Sequence, residues 1–420
     1  MIYVCDAIMG SGKSSAAIAY MNSHPDRRFI YITPYLEEAK RIKEHCPALN
    51  FVEPEAGIRE YGGSKGGHAA ALICRGDNIA STHQALMNYT DAMLENIHKQ
   101  EYELIVDESI NLLNSMAIKS DDREILLKLG LVEVRNGRLV CTDSTKEYDG
   151  VFTPLLRKIR QTELYITPAM DMIHWMLPPE LITSFSNVYI LTYLFKGQGI
   201  YQYFQINHLE YEMIGVRIRD GTYEFCECPG DVPAYTKRLK DRIHICMDAQ
   251  LNDIGQERTA LSATKYKTGK VDLDRLRLNL RKFFRDIHHD KPAKQRMWSA
   301  FKGSDVGRLK KDYVGQISDR GYKNCFVEYN ARATNKYRNK TVLAYLVNVY
   351  MNLPDKQFYL SRGAEVDEDT YALSVMIQWI WRSGIREGKD IYIYIPSRRM
   401  RDMFIDWINS LNDGGDADET

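Results

Sequence analysis

The sequence predicts an α/β protein of two domains, each built on a parallel sheet with helices on its faces. Three observations carry this. At 420 residues the chain exceeds one ordinary core and suits two domains of about 200 residues each. Its first segment alternates short apolar strands with helical patterns, the signature of a mainly parallel sheet. Residues Ala7-Ile-Met-Gly-Ser-Gly-Lys-Ser14 place a glycine-rich turn between an apolar strand and a helix.

Taken in order, residues 2–5 read as the first strand and 14–21 as the opening of a helix. A strand at 29–33 leads into a helix over 36–45, and further strands fall at 78–81, 103–106 and 187–192. Residues 111–165 read as a helical insertion with one small hairpin at 132–140, turned at Asn136-Gly137. The glycines at 197 and 199 mark a boundary between domain 1, over 1–200, and domain 2, over 201–411. Domain 2 opens with strand-like pieces at 223–228 and 243–247 and continues basic and helical through Lys311. Strand character returns at 325–329 and 391–395. Residues 412–420 are acidic, contain glycine and read as a disordered tail.

Composition narrows the class. Hydrophobic residues make up 44% and charged residues 27%, the balance of a soluble globular chain. No apolar run reaches the roughly 18 residues a membrane helix needs. The apolar stretch at 2–5 runs into the glycine loop without the basic region or cleavage site of a signal peptide. The eight cysteines are scattered, and Cys226 and Cys228 lack zinc-ribbon spacing, so reduced cytosolic thiols are expected and no structural metal. Net charge is zero, yet residues 258–340 hold 22 lysines and arginines against 8 acids, a surplus of 14. Such a segment suggests a polyanion-facing surface on domain 2.

The glycine loop carries the chemistry. Small residues let backbone N–H groups curl around a β-phosphate, and the following helix presents its positive dipole end. Met9, Gly10, Ser11, Gly12, Lys13, Ser14 and Ser15 are the expected nucleotide-binding residues. Lys13 would neutralise the β- and γ-phosphates, and the Ser14 hydroxyl would ligate Mg2+. Glu103-Leu-Ile-Val-Asp-Glu-Ser-Ile110 supplies the partner, a buried strand with two carboxylates at the edge where parallel sheets bind ligands. Asp107 is expected to hold the Mg2+ and Glu108 to polarise the attacking water. ATP is the default nucleotide.

In the order of its motifs, from Ala7 to Arg386, the chain resembles a compact superfamily 2 (DExx-box) helicase or translocase of the kind encoded by phages and prophages. Ile30-Tyr-Ile-Thr-Pro-Tyr35 resembles motif Ia and Ser81-Thr-His83 resembles motif Ib, which implies nucleic-acid contacts from Pro34, Tyr35, Thr82 and His83. Asp107-Glu-Ser-Ile110 is similar to the DExx box. Ile190-Leu-Thr-Tyr193 stands where motif III couples hydrolysis to strand movement, with Thr192 in that role and Tyr193 departing from the usual small residue. Ser262-Ala-Thr264 matches that motif more literally but lies far downstream. Ala331-Arg-Ala-Thr-Asn335 resembles motif V, implying strand contacts from Arg332 and Asn335 and coupling by Thr334. Gln378-Trp-Ile-Trp-Arg-Ser-Gly-Ile-Arg386 resembles motif VI, which implies that Gln378, Arg382 and Arg386 face the triphosphate. Its second arginine falls one residue later than in the family, and four-residue steps put the three positions on one helix face.

The resemblance implies two RecA-like domains, ATP and Mg2+ as cofactors, and hydrolysis at an interdomain cleft that drives movement along a strand. Single-stranded or partly duplex nucleic acid is the implied partner, DNA in preference to RNA, with replication proteins beside it. The setting is phage or mobile-element replication or recombination in a bacterial cytoplasm. Two other readings compete: a DNA-packaging motor, which would need an acidic nuclease cluster, and an ATP-switch loader or regulatory protein with little turnover. Among lesser features, Trp298 and Phe301 sit in an aromatic-basic segment at 296–302 and residues 335–338 form another, both suited to base stacking or to the core. Ser397-Arg-Arg-Met-Arg401 is a phosphate contact or a helix start. Residues 62–67 read as a surface glycine loop with Lys65 near a phosphate, and His288-His289 lacks metal-ligand partners.

Overall fold

The computed structural model describes residues 1–413 apart from 35, 109, 147, 168–171, 307, 308, 320 and 332–334. The chain divides into two compact units. The first comprises Met1–Ile8, Gly12–Asp231 and Asn352–Val366, and the second Met9–Ser11, Val232–Met351 and Asp367–Thr420. No helix among the described residues is long and apolar enough to cross a membrane.

The first unit begins with strands β1 (Ile2–Asp6), β2 (Phe29–Thr33), β3 (Ile79–Thr82) and β4 (Glu103–Asp107). An insertion contributes β5 (Leu113–Ala117), β6 (Val132–Arg135), β7 (Arg138–Cys141), β8 (Leu164–Ile166) and β9 (Met172–Met176). The chain then adds β10 (Val188–Thr192), β11 (Glu212–Arg219) and β12 (Thr222–Glu227). The main sheet runs β12-β11-β1-β10-β4-β2-β3, parallel throughout except for the β11–β12 hairpin. Its inner strands β2 and β10 are buried at every residue, as in a parallel sheet covered on both faces. Ile30 and Ile32 enter one core with Val4 and Leu104, while Phe29 and Tyr31 enter the other with Cys5 and Ile105.

Register decides where the chemistry lies. Asp6 pairs with Thr192 and Leu191 with Asp107, so the C-terminal ends of β1, β10 and β4 share one edge. One strand thus separates the strand that feeds the glycine loop from the strand that ends in Asp107.

Two expectations need correction here. The compact unit continues past residue 200, because β11 pairs parallel with β1 and the Asp220-Gly221 turn (φ 50° and 78°) folds β12 back beside it. Phe225 then stacks on Tyr189 and meets Tyr20, which ties the hairpin to the first helix and sheet. The insertion is also not mainly helical. It is a five-stranded antiparallel sheet, β5-β9-β8-β7-β6, with helices Ser120–Lys128 and Thr153–Gln161, and it extends to Met176. The Asn136-Gly137 turn is as expected, with φ 51° and 76° joining β6 to β7. A helix from much later in the chain, Leu353–Ser361, belongs to this unit. His174 of β9 lies 2.8 Å from the Asp355 carboxylate and stacks on Phe358.

In the second unit, β13 (Ile243–Ile245), β14 (Arg296–Ser299), β17 (Val342–Tyr345) and β18 (Ile391–Tyr394) form a parallel sheet in the order β13-β18-β17-β14, while β15 (Gly303–Val306) and β16 (Leu309–Asp312) make a separate hairpin. The basic stretch is therefore not helical through Lys311. Four consecutive buried residues make β14, and the Trp298 indole N–H donates to the Tyr322 carbonyl at 3.0 Å. Trp298 is a core residue and no stacking platform; truncating such a side chain costs about 3–5 kcal/mol. Phe301 packs partly buried against the same core. No strand forms over 325–329: Cys325 ends the 3-10 turn Lys323–Cys325, Phe326 makes one bridge to Trp298, and 327–329 are irregular. Helix Arg398–Asp413 runs into the segment expected to be a tail, whose remainder, 414–420, lies outside the described residues.

Candidate active site

β1 delivers the chain to a turn in which Gly10 and Gly12 both adopt left-handed backbone angles, φ 83° and 92°. Helix Lys13–Asn22 starts at once, with Gly12 capping it and no side-chain acceptor on its first N–H groups. Those groups stay available for an anion. Gly12 has a second reason to be glycine: a Cβ there would lie 2.1 Å from the ring of Tyr223, on β12. Met9–Ser11 group with the second unit.

Lys13 folds back on its own loop, where the ammonium donates to the carbonyls of Ala7 and Ile8, the latter at 3.0 Å. Burial pulls the ammonium below the ordinary lysine range against the opposing effects of Cys5, Asp107, Asp6 and Glu108. The Ser14 hydroxyl donates to Asp107 Oδ2 at 3.2 Å, and the Tyr31 hydroxyl donates to the same oxygen at 2.8 Å. Burial pushes the Asp107 carboxyl up, with the Tyr31 hydrogen bond and the Lys13 charge drawing it back down. Burial also raises the Tyr31 phenol far above its ordinary range, so it serves as a donor. His83, expected to touch nucleic acid, is instead buried, with Nε2 3.0 Å from the Asp107 main-chain oxygen. It braces the end of β4.

Glu108 follows with φ 60°, a left-handed angle unusual for a residue with a side chain. Its N–H donates to the Leu191 carbonyl at 3.0 Å, while the Ala7 N–H donates to the Thr192 carbonyl at 3.1 Å. Thr192 is buried at the end of the strand that separates β1 from β4. Asp6 lies beside it, its carboxyl raised by burial and held by the Phe195 N–H. Lys13, Ser14, Asp107, Glu108 and Thr192 thus gather on one sheet edge. Ser14 and Asp107 fit Mg2+: both are hard oxygen donors, and their 3.2 Å separation is near the roughly 3 Å edge of an octahedron with ~2.1 Å bonds. Ser15 is half-buried on the first turn of the helix.

The remaining expected contacts are less gathered. Pro34 follows β2 and Thr82 opens the helix His83–Leu86, both half-buried, while Tyr35 lies outside the described residues. Arg332 and Thr334 also lie outside them, and Asn335 opens the turn Asn335–Tyr337.

Gln378, Arg382 and Arg386 do not share a helix face. Helix Glu368–Ile380 stops short of Arg382, and Arg386 sits on the separate 3-10 turn Gly384–Glu387, capped by the Ser383 hydroxyl. Arg382 is 7% exposed and its Nε donates to the Gln378 carbonyl at 3.2 Å, whereas Arg386 is exposed. Ser262 is a helix cap, accepting from the Lys265 N–H. Within the 397–401 cluster, Arg399 pairs with Asp369 at 2.6 Å, and buried Arg401 donates to the Ile395 and Pro396 carbonyls. Lys65 begins helix Lys65–Arg75, capped by Ser64, so the glycine loop is partly a helix start.

Along 97% of its length the chain is similar to the SPbeta prophage-derived uncharacterized protein YonV of Bacillus subtilis (strain 168), 33% identical over 420 residues and covering 99% of that protein. The chain belongs to the YonV family. Residues 237–408 also match the family model described as the YonV C-terminal Rossmann-like domain, which agrees with the parallel sheet of the second unit. Two solved structures align over nearly the whole of this YonV-family chain at 11% identity. One is described as XPD_Helicase (TM-score 0.47, 98% of this chain and 95% of that one). The other is S. tokodaii Xpd4 (TM-score 0.49, 97% and 94%).

Sequence reasoning missed two residues of this YonV-family site. Tyr31 is the middle residue of a buried strand and looks like core; only the β2–β4 pairing carries its hydroxyl to Asp107. Tyr223 reaches Gly12 through a hairpin more than 200 residues downstream, and no local signal marks it.

Proposed function

We propose that this chain is a Mg2+-dependent ATPase acting on nucleic acid, a helicase or translocase. The observation that carries the nucleotide half of this reading is the convergence of Lys13, Ser14 and Asp107 on one sheet edge. In the reaction, the loop N–H groups hold the phosphates and Lys13 leaves the Ala7 and Ile8 carbonyls to neutralise them. Ser14 and Asp107 hold Mg2+, which supplies charge neutralisation on the phosphate oxygens. Glu108 orients water, and the Thr192 strand joins the two carboxylate-bearing elements. The nucleic-acid half is supported by the order of the motifs and by the surplus of 14 positive charges at 258–340. A prophage relative supports a place in phage DNA metabolism. ATPase activity with and without single-stranded DNA or RNA tests the proposal: stimulation by either strand is expected. Mg2+-ATP turnover that neither strand changes would leave an ATP switch in its place.

Three variants refine the roles. Tyr31→Phe removes one of the two donors to Asp107 Oδ2, so the Mg2+ needed for half-maximal activity should shift about fivefold, equivalent to ~1 kcal/mol. A Mg2+ titration of the ATPase reads this. Arg386→Ala should leave Mg2+-ATP binding intact and lower turnover. Arg382→Ala, which removes a buried guanidinium, should cost about 2 kcal/mol of folding stability, seen as a Tm loss of roughly 5 °C by thermal melting.

A further inference from the structure

The antiparallel insertion carries its own cleft, well away in sequence from the glycine loop. It has a volume of about 650 Å3 and its lining includes four arginines, Arg135, Arg138, Arg160 and Arg362, with Tyr165 and Asn136. No carboxylate is among the described residues that line it. Three of the arginines come from the insertion, flanking the Asn136-Gly137 turn and ending the helix Thr153–Gln161. Arg362 follows the helix Leu353–Ser361, and its guanidinium lies 3.3 Å from the centre of the Tyr165 ring.

These arginines are not accounted for by stability. Arg138 pairs with Glu163 at 2.5 Å and Arg135 with Glu133, but all four side chains are at least 43% exposed. Exposed pairs of this kind contribute about 0–1 kcal/mol. Arg160 donates to the Thr145 carbonyl at 2.9 Å and has an exposed side chain. Among the described residues, Glu133 and Glu163 pair with two of these four guanidiniums, and Arg160 and Arg362 have no ion pair to a carboxylate within 4 Å. Guanidinium forks match phosphate oxygens in pairs, and an arginine-backed tyrosine ring offers a stacking surface for a base.

We propose that this cleft is a second nucleic-acid site, which grips the phosphodiester backbone of a single strand through Arg135, Arg138 and Arg160 and meets a base at Tyr165 and Arg362. The choice of a strand as the polyanion rests on the proposed function, so the test reads binding with no nucleotide present.

In that test, a labelled oligo(dT) is titrated by fluorescence anisotropy against the full chain, the double variant Arg138→Gln/Arg160→Gln, and Tyr165→Ala. The double variant should bind about tenfold more weakly, with a salt slope shallower by about 1.4 for two lost phosphate contacts. Its Tm should be unchanged, because the side chains removed are exposed. Tyr165→Ala should weaken binding while leaving the salt slope as it was. Unchanged affinity in the folded double variant overturns the proposal. So does equal competition by inorganic tripolyphosphate at matched phosphate, which would make the cleft a polyphosphate site. If the double variant misfolds, ultraviolet crosslinking of the native chain decides, with an adduct on Tyr165 expected and its absence counting against the site. Loss of binding in a protein without ATPase would uphold this site and sink the proposed function. Strand-stimulated ATPase with unchanged affinity would do the reverse.

Discussion

Lys13→Ala should lower Mg2+-ATP hydrolysis by at least about 100-fold, the scale seen when one preorganised electrostatic group is lost from a reacting centre. The reason lies in what surrounds the ammonium. Asp6, Asp107 and Glu108 all act on Lys13, and Glu38 acts in turn on Asp107, so carboxyl groups crowd this edge around the Lys13 ammonium. A triphosphate arriving there meets these carboxyl groups, and Lys13 offsets their repulsion by turning from the Ala7 and Ile8 carbonyls toward the phosphates. The variant has no charge to turn. Its loop retains the left-handed glycines and the helix start, so the protein should remain folded, as circular dichroism would record. Full activity in the folded variant would remove Lys13 from the site.

Asp107→Asn should separate stability from activity. Burial raises the Asp107 carboxyl above its unfolded value, and neither Tyr31 nor Lys13 fully restores it. A carboxylate with a raised folded pKa opposes folding once it is ionised. That cost is absent below the unfolded pKa, near 3.9, grows as pH rises from there to the folded value, and is constant above it. At pH 7 the asparagine variant should therefore melt at or above the wild-type temperature, with the difference closing as pH approaches 4. Its Mg2+-dependent hydrolysis should fall by two or more orders of magnitude, on the order of the loss of a charge-stabilising ligand. A variant markedly less stable than wild type at pH 7 would contradict the burial argument.

The site was legible where its signals were local. The glycine loop lies within eight residues, and Asp107-Glu108 closes an apolar run that can only be a buried strand. Their approach through β10 follows from the register of three parallel strands. What escaped was non-local. Asp220-Gly221 announces a hairpin, but no residue in it says that β11 will pair with β1 and carry Tyr223 to Gly12. Leu113–Ala117 alternates weakly, and its strand forms because β9, some 60 residues later, pairs with it. Other misreadings had local signals that periodicity hid. The helix ends at Ile380, and Ser383-Gly384 then opens a separate, capped 3-10 turn within the run from Gln378 to Arg386. Arg296-Met-Trp-Ser299 reads as part of an aromatic-basic segment, yet all four residues are buried as β14 of the second unit's sheet, where tertiary packing overrides the charge pattern.

The central claim is that one sheet edge binds a nucleoside triphosphate with Mg2+ through Lys13, Ser14 and Asp107. Calorimetric titration of the full chain with ATP, with and without Mg2+, tests it most directly. One saturable site is expected, tightened by Mg2+ in the native chain, insensitive to Mg2+ in Asp107→Asn and lost in Lys13→Ala. No heat of binding at millimolar ATP, or binding that Lys13→Ala leaves unchanged, would contradict it.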